Sequence, residues 1–165
     1  MDARNGPDIS VLTDMLSFQL RMLSQAINRA YDDAFSATEA SSGTGKLTTL
    51  LLVSANPGMS QSEAGRVLGK DRPAMVRIVD HLERAGLLRR EPDPAERRRH
   101  ALTLTPRGEA EIGRYMAIAK AYDGAFFSAL TEEERRGLAR IARKLRRIHQ
   151  PETLGLDSAT ANSRS

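Results

Sequence analysis

The chain contains no cysteine. Disulfide scaffolds, thiolate-bound zinc and thiol redox sensing are thereby excluded. Aromatic residues are scarce, at 4%, so a core must be assembled from Leu, Ile, Val, Ala and Met. No apolar run approaches the roughly 18 residues that a membrane-spanning helix needs. The stretch from Met1 to Ser10 also lacks the apolar segment of a secretory signal. These absences lead to the expectation of a cytoplasmic protein without membrane contact. The three histidines, His81, His100 and His149, lie far apart and share no ligand spacing, so no metal is expected. No nucleophile–base–orienter set and no glycine-rich phosphate loop is visible, so neither catalysis nor a cofactor is expected.

What is present is a 165-residue chain that is 40% hydrophobic and 28% charged, with a formal net charge of +4. A basic balance favours anionic partners, nucleic acid ahead of a membrane surface. The positive charge is densest in mid-chain, at Arg89, Arg90, Arg97, Arg98, Arg99 and His100.

Periodicity divides the chain. Residues 1–8 read as a flexible arm. Leu12, Leu16, Leu20, Leu23, Ile27, Ala30 and Ala34 recur at spacings of three and four, which predicts a long helix over 10–36. After a polar linker at 37–45, Leu47, Leu50, Leu51 and Val53 predict a short helix that stops before Asn56-Pro57-Gly58. Ser60-x-x-Glu63 is a capping box opening a helix over 60–68, and Gly69-Lys70 make the turn. Asp71 caps a further helix, 72–85, with Pro73 in its first turn and Met75, Ile78, Val79 and Leu82 on one face. Gly86 is a natural stop. Strand signals at Leu87–Arg90 and Arg99–Leu104 flank a charged hairpin loop, 91–96. Thr105-Pro106 opens a long helix, 106–129, and Thr131-x-x-Glu134 opens the last, 132–149. Residues 150–165 are Ser/Thr/Ala-rich and predict a disordered tail.

The order helix, helix, turn, helix, strand, charged hairpin, strand is that of a winged helix-turn-helix. The fold class expected is therefore mainly α with a small β-wing, flanked by long helices. Residues 46–105 form the DNA-binding unit in this reading, and 9–36 with 106–149 form a helical dimerisation region. The apolar arcs of those long helices exceed what a small wing domain can cover, so a homodimer is expected.

The helix at 72–85 fits the major groove of double-stranded DNA. Its outward residues suggest roles. Arg77 is placed to reach a guanine edge, and Arg72 a base or a phosphate. Pro73 and Val76 suit thymine methyls. Lys70 and Ser60 suit phosphates near helix termini, and His81 a surface or phosphate-contacting position. In an extended strand Arg98 points opposite to Arg97 and Arg99, so one orientation suits a minor groove and the other suits packing or pairing with Glu96 or Asp93.

The block Met75-x-x-Ile78-Val79-x-x-Leu82-x-x-x-Gly86-Leu87-Leu88-x-Arg90, then Glu96-Arg97-Arg98, then Leu104-Thr105-x-x-Gly108, resembles the MarR family of transcriptional regulators. The resemblance extends over roughly residues 10–149. It implies a dimer built from the first helix and the last two, with the wing in the minor groove and Arg98 as its signature arginine. Glu96 stands where that pattern has Asp. Positions 73, 74 and 76 hold Pro, Ala and Val where such proteins often carry Ser or Thr, which moves specificity toward Arg72, Arg77 and DNA shape. The resemblance also implies release of DNA by a small aromatic or amphipathic acid, with Phe18, Arg21, Tyr31, Phe35, Tyr115 and Tyr122 as candidate contacts; the other reading of each aromatic is core or interface packing. The alternative reading is a winged-helix protein–protein adapter.

Overall fold

The helical periodicities are realised as seven helices and one two-stranded ladder in a computed structural model that describes residues 10–92 and 100–149. The arm, the tail, and residues 93–99 with Glu96, Arg97, Arg98 and Arg99 lie outside the described residues. The elements are α1 (Ser10–Thr13), α2 (Leu16–Phe35), α3 (Gly45–Ala55), α4 (Gln61–Leu68), α5 (Arg72–Arg84), β1 (Leu88–Pro92), β2 (His100–Leu104), α6 (Pro106–Phe126) and α7 (Glu132–His149).

The single helix expected over 10–36 is broken. Met15 is extended, at φ −87° and ψ 113°, and separates α1 from α2. Short polar side chains compete for the backbone there: the Thr13 hydroxyl donates to Ser10 O at 2.7 Å, and Gln19 Nε2 donates to Thr13 O at 2.8 Å. The helix expected over 106–129 ends at Phe126, followed by a turn.

The three helices of the central unit are delimited by their caps. Ser60 and Glu63 exchange bonds in a complete capping box at the start of α4. Gly69 closes α4 at φ +60°, a left-handed conformation that costs glycine nothing. The Lys70 N–H then reaches back to Gly65 O at 2.9 Å. One residue later the Asp71 side chain accepts from Ala74 N at 2.7 Å and starts α5. The turn between the two helices thus spends no residue beyond those the caps need.

The antiparallel ladder pairs Leu88 with Leu104 and Pro92 with His100. Glu91 and Pro92, expected in the loop, are strand residues. Pro92 is tolerated because it sits at the outer end of the ladder, where a missing N–H breaks little. The inward–outward alternation of a strand fails at Ala101, which is buried along with Leu102. The cause is a third segment on the far side of β2: Ser60 bridges Ala101, and Leu102 N donates to Met59 O at 2.8 Å.

The core joins Leu47, Leu50 and Val53 of α3, Met75, Val79 and Leu82 of α5, and Leu87, Leu88 and Leu102. Tyr31 and Phe35 of α2 and Tyr115 of α6 close it from one side. The helix α7 has no buried residue, and its apolar face of Leu138, Ile141, Leu145 and Ile148 is exposed. Among the described residues no helix is long and apolar enough to cross a membrane.

Candidate nucleic-acid interface

The helix α5 has two faces. Met75, Val79 and Leu82 are at most 1% exposed and hold it to the core. On the other side Arg72, Pro73, Val76 and Arg77 are exposed. Their helical spacing sets Pro73, Val76 and Arg77 on one stripe, with Asp80 and Arg84 continuing it. Arg72, Arg77 and Lys70 have no ion-pair or hydrogen-bond partner through their side chains among the described residues. Among the described residues they are cations without a protein commitment, as phosphate or base contacts require.

Arg89 and Arg90, the arginines of the basic block among the described residues, are committed. Arg89 Nε lies 2.9 Å from Glu91 Oε1 and donates to Thr103 Oγ1 at 3.1 Å on the outer face of the ladder. Arg90 turns inward, with 23% of its side chain exposed, and reaches Asp80 and Glu83 of α5. Sequence reading counted both as part of one positive patch. In the fold their charge is largely neutralised before any partner arrives.

Two expected contacts are corrected. Ser60 is only 9% exposed, and its hydroxyl both accepts from Glu63 N at 3.2 Å and donates to Glu63 Oε2 at 2.9 Å. Its expected contact with phosphate gives way to a capping role. Replacing Ser60 by alanine is expected to cost about 1 kcal/mol in unfolding free energy, while affinity of the folded protein for duplex DNA stays unchanged. A loss of affinity with no loss of stability would restore the phosphate role. His81 is half-buried, with Nε2 2.9 Å from the Glu39 carbonyl and 3.6 Å from its carboxylate. It ties α5 to the segment after α2, with 31% of its side chain left exposed. Arg66, not singled out by the sequence, is exposed on α4. Its outward place on an amphipathic helix was the available signal.

The sequence model of the MarR family matches residues 43–99. A protein of Thauera aromatica, described as a transcriptional regulatory protein for the hcr operon, is 32% identical over 132 residues, covering 80% of this chain and 79% of its own length. The chain belongs to the MarR family. It is a winged helix-turn-helix transcriptional regulator that binds DNA. Solved members of similar shape include the transcriptional repressor CouR bound to a 23-mer DNA duplex. It is 26% identical with a TM-score of 0.78, covering 86% of this chain and 99% of that one. A second is MarR, 26% identical with a TM-score of 0.68, covering 88% and 91%.

In this MarR-family chain the six residues expected to hold an effector do not form one site. Tyr31 and Phe35 stack at 4.4 Å, Tyr122 meets Tyr31 edge-on at 6.0 Å, and Tyr115 meets Phe35 at 6.3 Å. Burial pushes the phenol pKa values of Tyr31, Tyr115 and Tyr122 up, with neighbouring carboxylates (Asp32, Glu111 and Asp123) adding to the rise. The neutral hydroxyls serve the fold: Tyr31 donates to Ala40 O at 3.2 Å and Tyr122 to Ile27 O at 3.0 Å. Tyr31 and Phe35, at 2% and 0% exposure, are core residues rather than a ligand lining. Phe18 and Arg21 stand apart on the first half of α2, with the guanidinium 5.3 Å from the ring centroid. Tyr115 has one edge on a polar cleft of about 260 Å³ formed by Ser36–Glu39 with Arg107, Glu111 and Arg114. No cluster of metal-binding side chains occurs among the described residues.

Proposed function

We propose that this protein is a cytoplasmic, non-catalytic, ligand-responsive repressor that binds a palindromic operator as a homodimer. In this reading α5 lies in the major groove, and the hairpin bearing Arg97, Arg98 and Arg99 lies in the adjacent minor groove. The observation that carries it is the outward face of α5: Arg72 and Arg77 are exposed and have no side-chain partner among the described residues, while Arg89 and Arg90 are paired. A repressor 26% identical to this chain is solved bound to a 23-mer DNA duplex, which supports duplex DNA as the partner. Twofold symmetry would set two reading helices on half-sites roughly 34–36 Å apart.

Specificity on this stripe comes from few groups. Arg77 supplies a fork for a guanine edge, Pro73 and Val76 supply methyl contacts, and Arg72 and Lys70 hold phosphates. The effector is a small aromatic or amphipathic acid. Arg21, exposed with its guanidinium 5.3 Å from the half-buried Phe18 ring centroid, is placed where a carboxylate can pair with it.

Selection of bound duplexes from a random pool, followed by titration at several salt concentrations, tests the reading. Affinity is expected to fall on the order of 10³-fold between 50 and 200 mM salt. Arg77→Ala is expected to cost about 1–3 kcal/mol on the preferred site and to relax preference at one base pair per half-site. Arg98→Ala is expected to weaken binding to most sequences alike. Flat salt dependence would favour the protein–protein adapter, and an unchanged preference in Arg77→Ala would move the reading face elsewhere.

A further inference from the structure

Arg90 makes a set of bonds that its place in a two-stranded wing does not require. The strand alternation sets it on the same face as buried Leu88, so its side chain runs inward against α5. There Nη2 donates to Asp80 Oδ1 at 2.6 Å and to Gln61 Oε1 at 3.1 Å. Nη1 donates to Glu83 Oε2, and the Arg90 backbone N–H donates to Glu83 Oε1 at 3.2 Å. One guanidinium thereby joins three elements: the first wing strand, the reading helix and the first residue of α4. A planar fork can do this because its donors point in fixed, divergent directions, which an ammonium cannot reproduce.

The two carboxylates it holds lie three residues apart on α5, the helix proposed to enter the groove. Asp80 continues the stripe of Pro73, Val76 and Arg77, and its side chain is 48% exposed. Left unpaired, Asp80 and Glu83 would repel each other and any nearby phosphate. Paired, they become the anchor that sets the angle between the β1–β2 ladder and the reading helix. Arg89, one residue away, has no such reach: its partners Glu91 and Thr103 belong to the ladder itself.

We propose that Arg90 is a positioning residue for DNA recognition, locking the wing ladder to the reading helix through Asp80, Glu83 and Gln61 so that both engage one duplex together. The proposal rests on the DNA-binding reading above. It separates from a pure charge effect because the two make opposite predictions for the carboxylates. If charge alone matters, removing Asp80 and Glu83 tightens binding. If they are the anchor, removing them weakens it.

The test uses the full chain and a duplex selected by the unaltered protein, with affinity measured across a salt series and thermal unfolding measured in parallel. Arg90→Gln and the double variant Asp80→Ala/Glu83→Ala are both expected to lose about tenfold in affinity. The salt dependence should become shallower by roughly one phosphate contact or more as the ladder disengages. Arg90→Lys, which keeps the charge but loses the fork, is expected to fall between Arg90→Gln and the unaltered protein. Tighter or equal binding by the double variant overturns the proposal. So does Arg90→Lys matching the unaltered protein, or a loss in Arg90→Gln that is accounted for by its unfolded fraction with an unchanged salt slope. Absence of duplex binding by the unaltered chain would instead overturn the DNA-binding reading, and this proposal with it.

Discussion

Gly108→Ala is expected to destabilise the protein by about 3 kcal/mol and to lower Tm by roughly 10 °C in thermal unfolding. A Cβ at Gly108 would lie 2.0 Å from the Leu87 carbonyl oxygen and 3.0 Å from its carbon. The obstacle is backbone, so no rotamer change relieves it. Nor can Leu87 retreat cheaply. Its N–H is bonded to Leu82 O at 2.9 Å, its carbonyl accepts from Thr105 N at 3.1 Å, and its side chain is fully buried. The first turn of α6 is pressed onto this junction by two further bonds, from the Thr105 hydroxyl to Gly86 O and from Arg107 Nη1 to Ala85 O. The same substitution should therefore shift α6 relative to the reading helix and weaken operator binding in the fraction that remains folded. A Tm within a degree of the unaltered protein would show that the junction yields where the packing indicates that it cannot.

The second large effect is expected at Ile141. Leu138, Ile141, Leu145 and Ile148 line one face of α7 with 37%, 55%, 40% and 61% of their surface exposed in the single chain. Val11, Leu12, Leu16, Leu20 and Leu23 of α1 and α2 are exposed as well, at 78%, 40%, 69%, 44% and 36%. So many large apolar side chains exposed on two helical segments fit the proposed homodimer. In the proposed homodimer Ile141→Glu would bury an unpaired carboxylate at that surface. Sedimentation should then report a monomer, and affinity for the full operator should fall by about 10²–10⁴ as the two half-sites lose their linkage. Folding of the central unit should be spared, since Ile141 is no part of its core. A variant that stays dimeric would move the dimer contact away from α7.

Much of this architecture was legible because it is written over short distances along the chain. Helix starts follow from Ser60, Asp71, Thr105 and Thr131, each with its partner three residues on. The two faces of α5 follow from residues spaced three and four apart, which is why the outward face of Arg72, Pro73, Val76 and Arg77 is legible in the sequence. The break at Met15 was less visible. The apolar repeat runs straight through it, and the repeat outweighs the weak local signal of Thr13-Asp14.

The sequence by itself determined the family, the winged order of elements, the turn before the reading helix and which side of that helix faces outward. Only the tertiary structure decided which charges are free. Arg90 finds Asp80, Glu83 and Gln61 at separations of 10, 7 and 29 residues, and His81 finds Glu39 across 42. It also withdrew Tyr31 and Phe35 into the core and committed Ser60 to its cap. The physical reason is the range of the forces involved. Caps and amphipathic faces are settled within one or two helical turns, whereas the partner of a long charged or aromatic side chain depends on how whole elements pack.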